Sequence, residues 1–377
     1  MREYLFVLFV AMATTYVAVP AAYRVAVRIG AFTQVRDRDV HAVPIPRLGG
    51  VGIFAGFLAA TLVASKLPFL SQVFDTPELW GVVVGGAIVC LVGAIDDVHE
   101  LDPLTKLAGQ IFAAGIMAFL GVQLFSIPIF GVTTVLPGPI LAILTILTVL
   151  VATNAVNFID GLDGLASGVV AIAALTFFAY SYSISRGFDP PNVFSSATFI
   201  SAALVGCCLG FLPHNFYPAR LFMGDSGALL LGLLLAAAMI STTGGLLSPS
   251  QVSDDAVGAT ILPLLVPTAI IMLPLLDVIL AIIRRTRAGR RPWSPDAQHL
   301  HHRMLQVGHG HRRAVLLLWL WAAVASTGSI AYVFLDPGLA TLLLVGSLSL
   351  AVGLTLWLPR FSRDGHRPKA IPPAAGG

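Results

Sequence analysis

The sequence predicts an all-α integral membrane protein with about eleven transmembrane helices, an outside N-terminus, a cytoplasmic C-terminus and cytoplasmic active-site loops. Composition is the first reason. Of the 377 residues, 57% are hydrophobic and only 11% are charged, where soluble domains carry roughly 45–50% apolar and about 25% charged residues. The second reason is the gathering of apolar residues into long runs, since about 20 residues cross a bilayer as a helix. The third is a one-sided placement of lysine and arginine between those runs. Together they exclude a soluble enzyme, a disordered regulator and a nucleic-acid binder.

Polar or Pro/Gly-rich breaks delimit eleven candidate spans: 4–23, 48–65, 79–95, 107–125, 138–156, 165–184, 194–212, 227–243, 260–283, 314–334 and 338–358. The first lacks a small-residue cleavage site and is long, so it reads as a retained span and not a signal peptide. Residues 126–138 alternate weakly around Gly131, the pattern of a short hairpin. Residues 244–259, with Asp254 and Asp255, read as a solvated outside loop. Residues 1–358 form one membrane unit, followed by a basic, Pro/Gly-rich tail over 359–377 that is expected to be disordered and lipid-facing.

Counting the connections alternately puts 19 of the 22 lysines and arginines on one side. Only Arg2, Lys66 and Arg186 fall on the other. The basic side is cytoplasmic, and an even number of spans would break the pattern. The three cysteines, Cys90, Cys207 and Cys208, lie in apolar runs without C-x-x-C spacing, which indicates neither a disulfide framework nor a zinc site.

The informative polar residues gather at span ends on that cytoplasmic side. Asp96 and Asp97 end the third span. Two adjacent carboxylates at a membrane boundary repel each other and require a cation, a proton or a basic partner. Lys106, at the start of the fourth span, is placed either to face the same pocket or to snorkel to the interface. Asn154, Asn157, Asp160 and Asp163 recur at a spacing of three, which keeps them on a slowly turning helix face. Their amide and carboxylate oxygens suit a hard cation such as Mg²⁺. Gly161, Gly164 and Gly168 beside them allow close backbone approach to a ligand.

Asp225, flanked by Gly224 and Gly227, is either a site carboxylate or the N-cap of span eight. Arg47, followed by Gly49 and Gly50, faces the cytoplasmic pocket. The last cytoplasmic loop is basic and holds His299, His301, His302 and Arg303. Such a loop suits acidic lipid headgroups or a bound diphosphate. Asp277, inside span nine, needs a partner, either a basic side chain or a functional one. Carboxylates, amides, a lysine and a His/Arg loop on one membrane face are what a Mg²⁺-assisted reaction on a phosphate-bearing substrate requires.

Five motifs taken in order, PRLGG, IDDV, NAVNFIDGLDGLASG, FMGDSG and HLHHRML, resemble those of the polyprenyl-phosphate N-acetylhexosamine-1-phosphate transferases. The resemblance covers residues 44 to about 306. It implies a multi-span helical fold, a cytoplasmic active site, Mg²⁺ (with Mn²⁺ as a substitute) and a homodimer. It further implies transfer of GlcNAc-1-phosphate from UDP-GlcNAc to undecaprenyl or decaprenyl phosphate. By motif position, Asp225 resembles the family's metal-ligating aspartate, and Asn157 resembles the asparagine that shares this role in the eukaryotic branch. Asp96, with Asp97 beside it, resembles the carboxylate that deprotonates the lipid phosphate. Asp160 and Asp163 resemble residues near the uridine. Lys106, His299, His301, His302 and Arg303 resemble the groups that handle diphosphate and sugar. Arg47 and Asn154 complete the expected substrate-binding set.

The HLHHR segment is shorter than the histidine run of the pentapeptide-translocase branch, and PRLGG lacks that branch's lysine and threonine. Both departures favour the GlcNAc branch. A transporter would carry its polar residues near mid-bilayer, whereas here they stand at one face. Prenyl transfer expects DDxxD spacing, but Asp96-Asp97 is followed by Asp102. CDP-alcohol phosphotransfer expects an Ala-Arg pair after Asp-Gly, absent after Asp160-Gly161.

Overall fold

A computed structural model of the chain describes residues 1–33, 44–124, 127–129, 132–134, 136–187, 195–245, 286–287 and 309–357. Ten long helices occur among them: α1 (Arg2–Ile29), α2 (Gly49–Ala64), α3 (Glu78–His99), α4 (Pro103–Phe119), α5 (Gly138–Ile159), α6 (Leu165–Gly187), α7 (Ser196–Asn215), α8 (Gly224–Gly245), α9 (His311–Phe334) and α10 (Pro337–Trp357). Eight of them are long and apolar enough to cross a membrane. The chain is a multi-pass membrane protein. α2 and α4, with 16 and 17 residues, are apolar but shorter. The expected hairpin is present as the antiparallel pair β1 (Ile127–Ile129) and β2 (Val132–Thr134).

Ten of the eleven candidate spans thus coincide with a described helix. The span at 260–283 with Asp277, the 244–259 loop acids, the basic loop with His299, His301, His302 and Arg303, and the tail over 359–377 lie outside the described residues.

Several boundaries differ by three to six residues, and at α4 the cause is local. α4 starts at Pro103, not near residue 107, because Asp102 accepts from the backbone N–H groups of Leu104 and Thr105 at 3.0 Å each. An Asp N-cap followed by proline is a strong start signal. α4 also stops early: Gly121 takes φ 107, a conformation that ends a helix.

α8 is the centre of the bundle. It contacts α2, α3, α5, α6 and α7, and 83% of its span is buried. Its sequence is apolar on all sides, as a fully surrounded helix must be. At the other extreme, only 11% of the α10 span is buried, with Leu342 and Leu356 exposed. An apolar face of that kind fits lipid, not water.

Small residues bring the helices together, as is usual in membranes. Gly52 and Gly56 of α2 meet Val19 and Thr15 of α1. Gly206 and Gly210 of α7 meet the backbone of Leu8 and Met12 on the same helix. Cys90, Cys207 and Cys208 are free and buried, consistent with packing alone.

Candidate active site

Three chain segments form one end of the bundle. The first is the PRLGG turn. Phe222 N–H donates to Pro46 O at 2.9 Å, while Gly49 and Gly50 N–H donate to Phe222 O and Met223 O at 3.0 Å each. These bonds hold Leu48 at φ 91, a strained value for a bulky residue, next to the start of α8. A Cβ on Gly50 would land in the backbone of Ser226 and Gly227. Only glycine lets α2 come this close.

The second segment is the end of α3. A Cβ on Gly93 would strike the backbone of Asp225 and Ser226, so α3 and the first turn of α8 are in backbone contact. One turn further on, Asp97 is buried, and its Oδ1 and Oδ2 accept from the N–H groups of Asp225 at 2.9 Å and Ser226 at 3.1 Å. The α8 N-terminus is therefore capped by a carboxylate from another helix. Asp225 itself lies in the first turn with its side chain released from capping.

The third segment is the start of α4, which carries Lys106. A lysine in a first helical turn opposes the helix dipole, and here carboxylates compensate. Lys106 Nζ is 3.3 Å from Asp96 Oδ2 and is also ion-paired with Asp225 Oδ2. All three side chains remain partly open, with 16–20% of each exposed. The other Asp96 oxygen accepts from Leu101 N–H at 2.8 Å, which fixes the carboxylate.

α5 brings the asparagines to the same end. Its Thr153 meets Gly232 of α8. Asn154 Nδ2 donates to Gln110 Oε1 at 2.7 Å and to Leu150 O at 2.8 Å. Thr153 Oγ1 also donates to Gln110 Oε1, at 3.1 Å. Gln110 is buried one turn after Lys106, so this network braces the lysine-bearing helix. Asn157 is half-buried in the last turn of α5, with no side-chain hydrogen bond among the described residues.

Beyond α5, Asp160 is half-buried; burial pushes its carboxyl up to about 7, the Asp97 and Asp163 charges add to the rise, and Arg47 opposes it. Arg47 is thus within electrostatic reach of this turn, and its Nε donates to Thr33 Oγ1 at 2.9 Å. Asp163 is buried, and its Oδ2 accepts from Ala219 N–H at 2.9 Å. Gly164, at φ 78, donates to Asn215 Oδ1 at 3.0 Å, and its carbonyl accepts from Trp319 Nε1 at 3.2 Å. Asp163 and Asn215 therefore tie the loop after α5 to the loop before α8, and α9 closes over both.

Asp96, Asp97, Lys106, Asn157, Asp160 and Asp225, expected at one membrane face, stand at one end of the bundle. Asn154 and Asp163 are at the same end, with side chains engaged in bracing contacts. Reasoning from sequence did not single out Gln110, Ser226 or Gly93. The available signals were helical offsets: Gln110 stands four residues after Lys106, and Gly93 four before Asp97. Arg312, whose Nε donates to Tyr217 O at 3.2 Å, and His311, stacked on Tyr217 at 4.3 Å, were also missed.

Among the described residues no three His, Cys, Asp or Glu side chains gather as a metal-ligand set. Mg²⁺ does not need one, since it is bound through one or two carboxylates plus substrate phosphates. Asp225 and the unengaged amide of Asn157 supply hard oxygens of that kind, so the residues present fit a divalent cation.

Comparison with known proteins shows the family of the chain. The Glycosyl transferase family 4 model matches residues 79–243, which include Asp96, Asp97, Lys106, Asn157 and Asp225. The decaprenyl-phosphate N-acetylglucosaminephosphotransferase of Mycolicibacterium smegmatis is 43% identical over 360 residues, covering 94% of this chain and 88% of its own. The enzyme of that name from Mycobacterium tuberculosis (strain H37Rv) is 41% identical over 367 residues, covering 96% and 90%. A probable undecaprenyl-phosphate N-acetylglucosaminyl 1-phosphate transferase of Bacillus subtilis is 31% identical over 323 residues, covering 85% and 82%. With apolar helices that can span a membrane and relatives this similar, this chain belongs to glycosyl transferase family 4 and is a membrane-embedded enzyme of the transferase class.

Proposed function

We propose that the protein transfers GlcNAc-1-phosphate from UDP-GlcNAc to a polyprenyl phosphate, decaprenyl or undecaprenyl, giving polyprenyl-diphosphate-GlcNAc and UMP. The observation that carries this reading is Lys106 held between Asp96 and Asp225 at the end of the central helix, in a chain whose relatives bear that activity in their names.

An oxygen of the lipid phosphate attacks the β-phosphorus of UDP-GlcNAc. The bond from that phosphorus to the bridging oxygen breaks, and its electron pair leaves with UMP. Asp96, fixed by Leu101 N–H and adjoining Lys106, takes the proton from the lipid phosphate. Lys106 turns its ammonium from the carboxylates to the diphosphate. Asp160 and Asp163 border the uridine, Arg47 lines the pocket, Asn154 supports it by bracing the Lys106 helix through Gln110, and His299, His301, His302 and Arg303 hold diphosphate and sugar.

The end of the bundle that holds Asp96, Asp97, Asp225, Asp160 and Asp163 is rich in acid, and two anionic substrates enter it only with added positive charge. Asp225 and Asn157 would hold Mg²⁺, or Mn²⁺ in its place, and the ion when bound neutralises phosphate charge around the reacting phosphorus. Displacement is direct. The site faces the cytoplasm of a bacterial plasma membrane, supported by the 19 of 22 basic residues counted on that side. The enzyme works as a homodimer.

The test is UMP release by purified protein with undecaprenyl or decaprenyl phosphate, comparing UDP-GlcNAc, UDP-GalNAc and UDP-MurNAc-pentapeptide. UMP from UDP-GlcNAc alone, abolished by EDTA, is the expected result. UMP from another donor would change the sugar, and none from any donor with folded protein would overturn the reading.

A further inference from the structure

Asp96 and Asp97 are neighbours in sequence, but the fold gives them different surroundings. Asp96 is partly open and adjoins Lys106. Asp97 is turned inward, 5% exposed, with one oxygen on the N–H of Asp225 and the other on that of Ser226. Gly224 is part of the same device. It sits at φ 70, and a Cβ there would collide with both Asp97 oxygens, the Oδ1 contact falling at 2.6 Å. Gly93, one turn back on α3, makes the backbone approach that brings Asp97 within reach. Both Asp97 oxygens are thus engaged by the α8 backbone.

We propose that Asp97 is a positioning residue: by capping the first turn of α8 from α3, it sets the direction in which the Asp225 carboxylate leaves the helix. Two hydrogen bonds to successive N–H groups fix the backbone of residues 225 and 226 against α3. The Asp225 side chain, with no capping role of its own, is thereby aimed at Lys106. Without the cap these N–H groups lose their acceptors and the first turn of α8 is freed to rotate. The inference rests on the reading of Asp225 as the metal-binding carboxylate.

The experiment is Mn²⁺ binding to the full-length, substrate-free protein in detergent, followed by electron paramagnetic resonance, with UMP release measured against Mn²⁺ concentration. Wild type is compared with Asp97→Asn, Gly224→Ala and Asp225→Asn. The asparagine keeps one acceptor but turns a donor towards the second N–H. The alanine pushes the Asp97 carboxylate aside without removing it. Both are expected to weaken Mn²⁺ binding by about 10- to 100-fold, the range seen when a group that orients a metal ligand is lost. Turnover is expected to recover partly at high Mn²⁺, with KM for UDP-GlcNAc unchanged.

Mn²⁺ affinity equal to wild type in both variants, with kcat lost and not recovered by metal, would overturn the assignment and make Asp97 a reacting group. Loss of the folded species in both, judged by size exclusion, would overturn it in favour of a fold-wide role. Wild-type protein that binds no Mn²⁺, or an Asp225→Asn variant that binds it normally, would instead count against the reading of Asp225.

Discussion

Lys106, in the first turn of α4, is ion-paired with Asp225, in the first turn of α8. The pair joins the best candidate for a diphosphate-binding cation to the best candidate for a metal-binding anion. It also offsets a lysine that the dipole of its own helix disfavours. Each residue is thus held where the other requires it.

Replacing Lys106 by alanine is expected to lower kcat of UMP release by about 100- to 1,000-fold, the usual cost of one charge-stabilising group. The folded fraction should stay normal by size exclusion. Unchanged kinetics would remove Lys106 from the reaction.

Asp225→Asn is expected to abolish the rise of activity with Mg²⁺ concentration, and EDTA should then have no further effect. The comparison is a metal titration of UMP release for variant and wild type. A variant with the wild-type metal dependence would exclude Asp225 as a ligand.

Asn154→Ala removes the amide that donates to Gln110 and Leu150. Side-chain hydrogen bonds between membrane helices contribute on average about 0.6 kcal/mol, so a small fall in melting temperature is expected, with KM for UDP-GlcNAc near wild type. A large rise in KM would instead give Asn154 a direct contact with the donor.

Gly50→Ala places a methyl group in the backbone of Ser226 and Gly227. Overpacking typically costs about 1–3 kcal/mol, and backbone gives way less than side chains do. The melting temperature should fall, and activity with it, since the displaced turn carries Asp225. Gly346→Ala, on α10 with open space around it, is the control expected to show neither effect.

Much of this protein is legible in the sequence. Apolar runs in a bilayer have one backbone solution, the helix, because every N–H and C=O must be satisfied within the segment. Ten runs accordingly match described helices. Asp96, Lys106, Asn157 and Asp225 stood out because ionisable and amide groups are costly at a membrane boundary unless they have work there. The start of α4 is not legible in the apolar pattern, which begins after its Asp102 cap and Pro103.

Which carboxylate does what was decided only by tertiary structure. Asp96 and Asp97 are chemically identical and adjacent, and no local rule separates them. Their side chains leave α3 about 100° apart, so one meets Lys106 and the other meets the N-terminus of α8. Likewise, Asn154 and Asn157 share one motif, yet the first is bound to a buried Gln110 and the second is left open. Residue type and spacing determine which groups must gather at the membrane face. Partner and direction come from helix packing, through contacts between residues far apart in sequence, such as the 128 positions that separate Asp97 from Asp225.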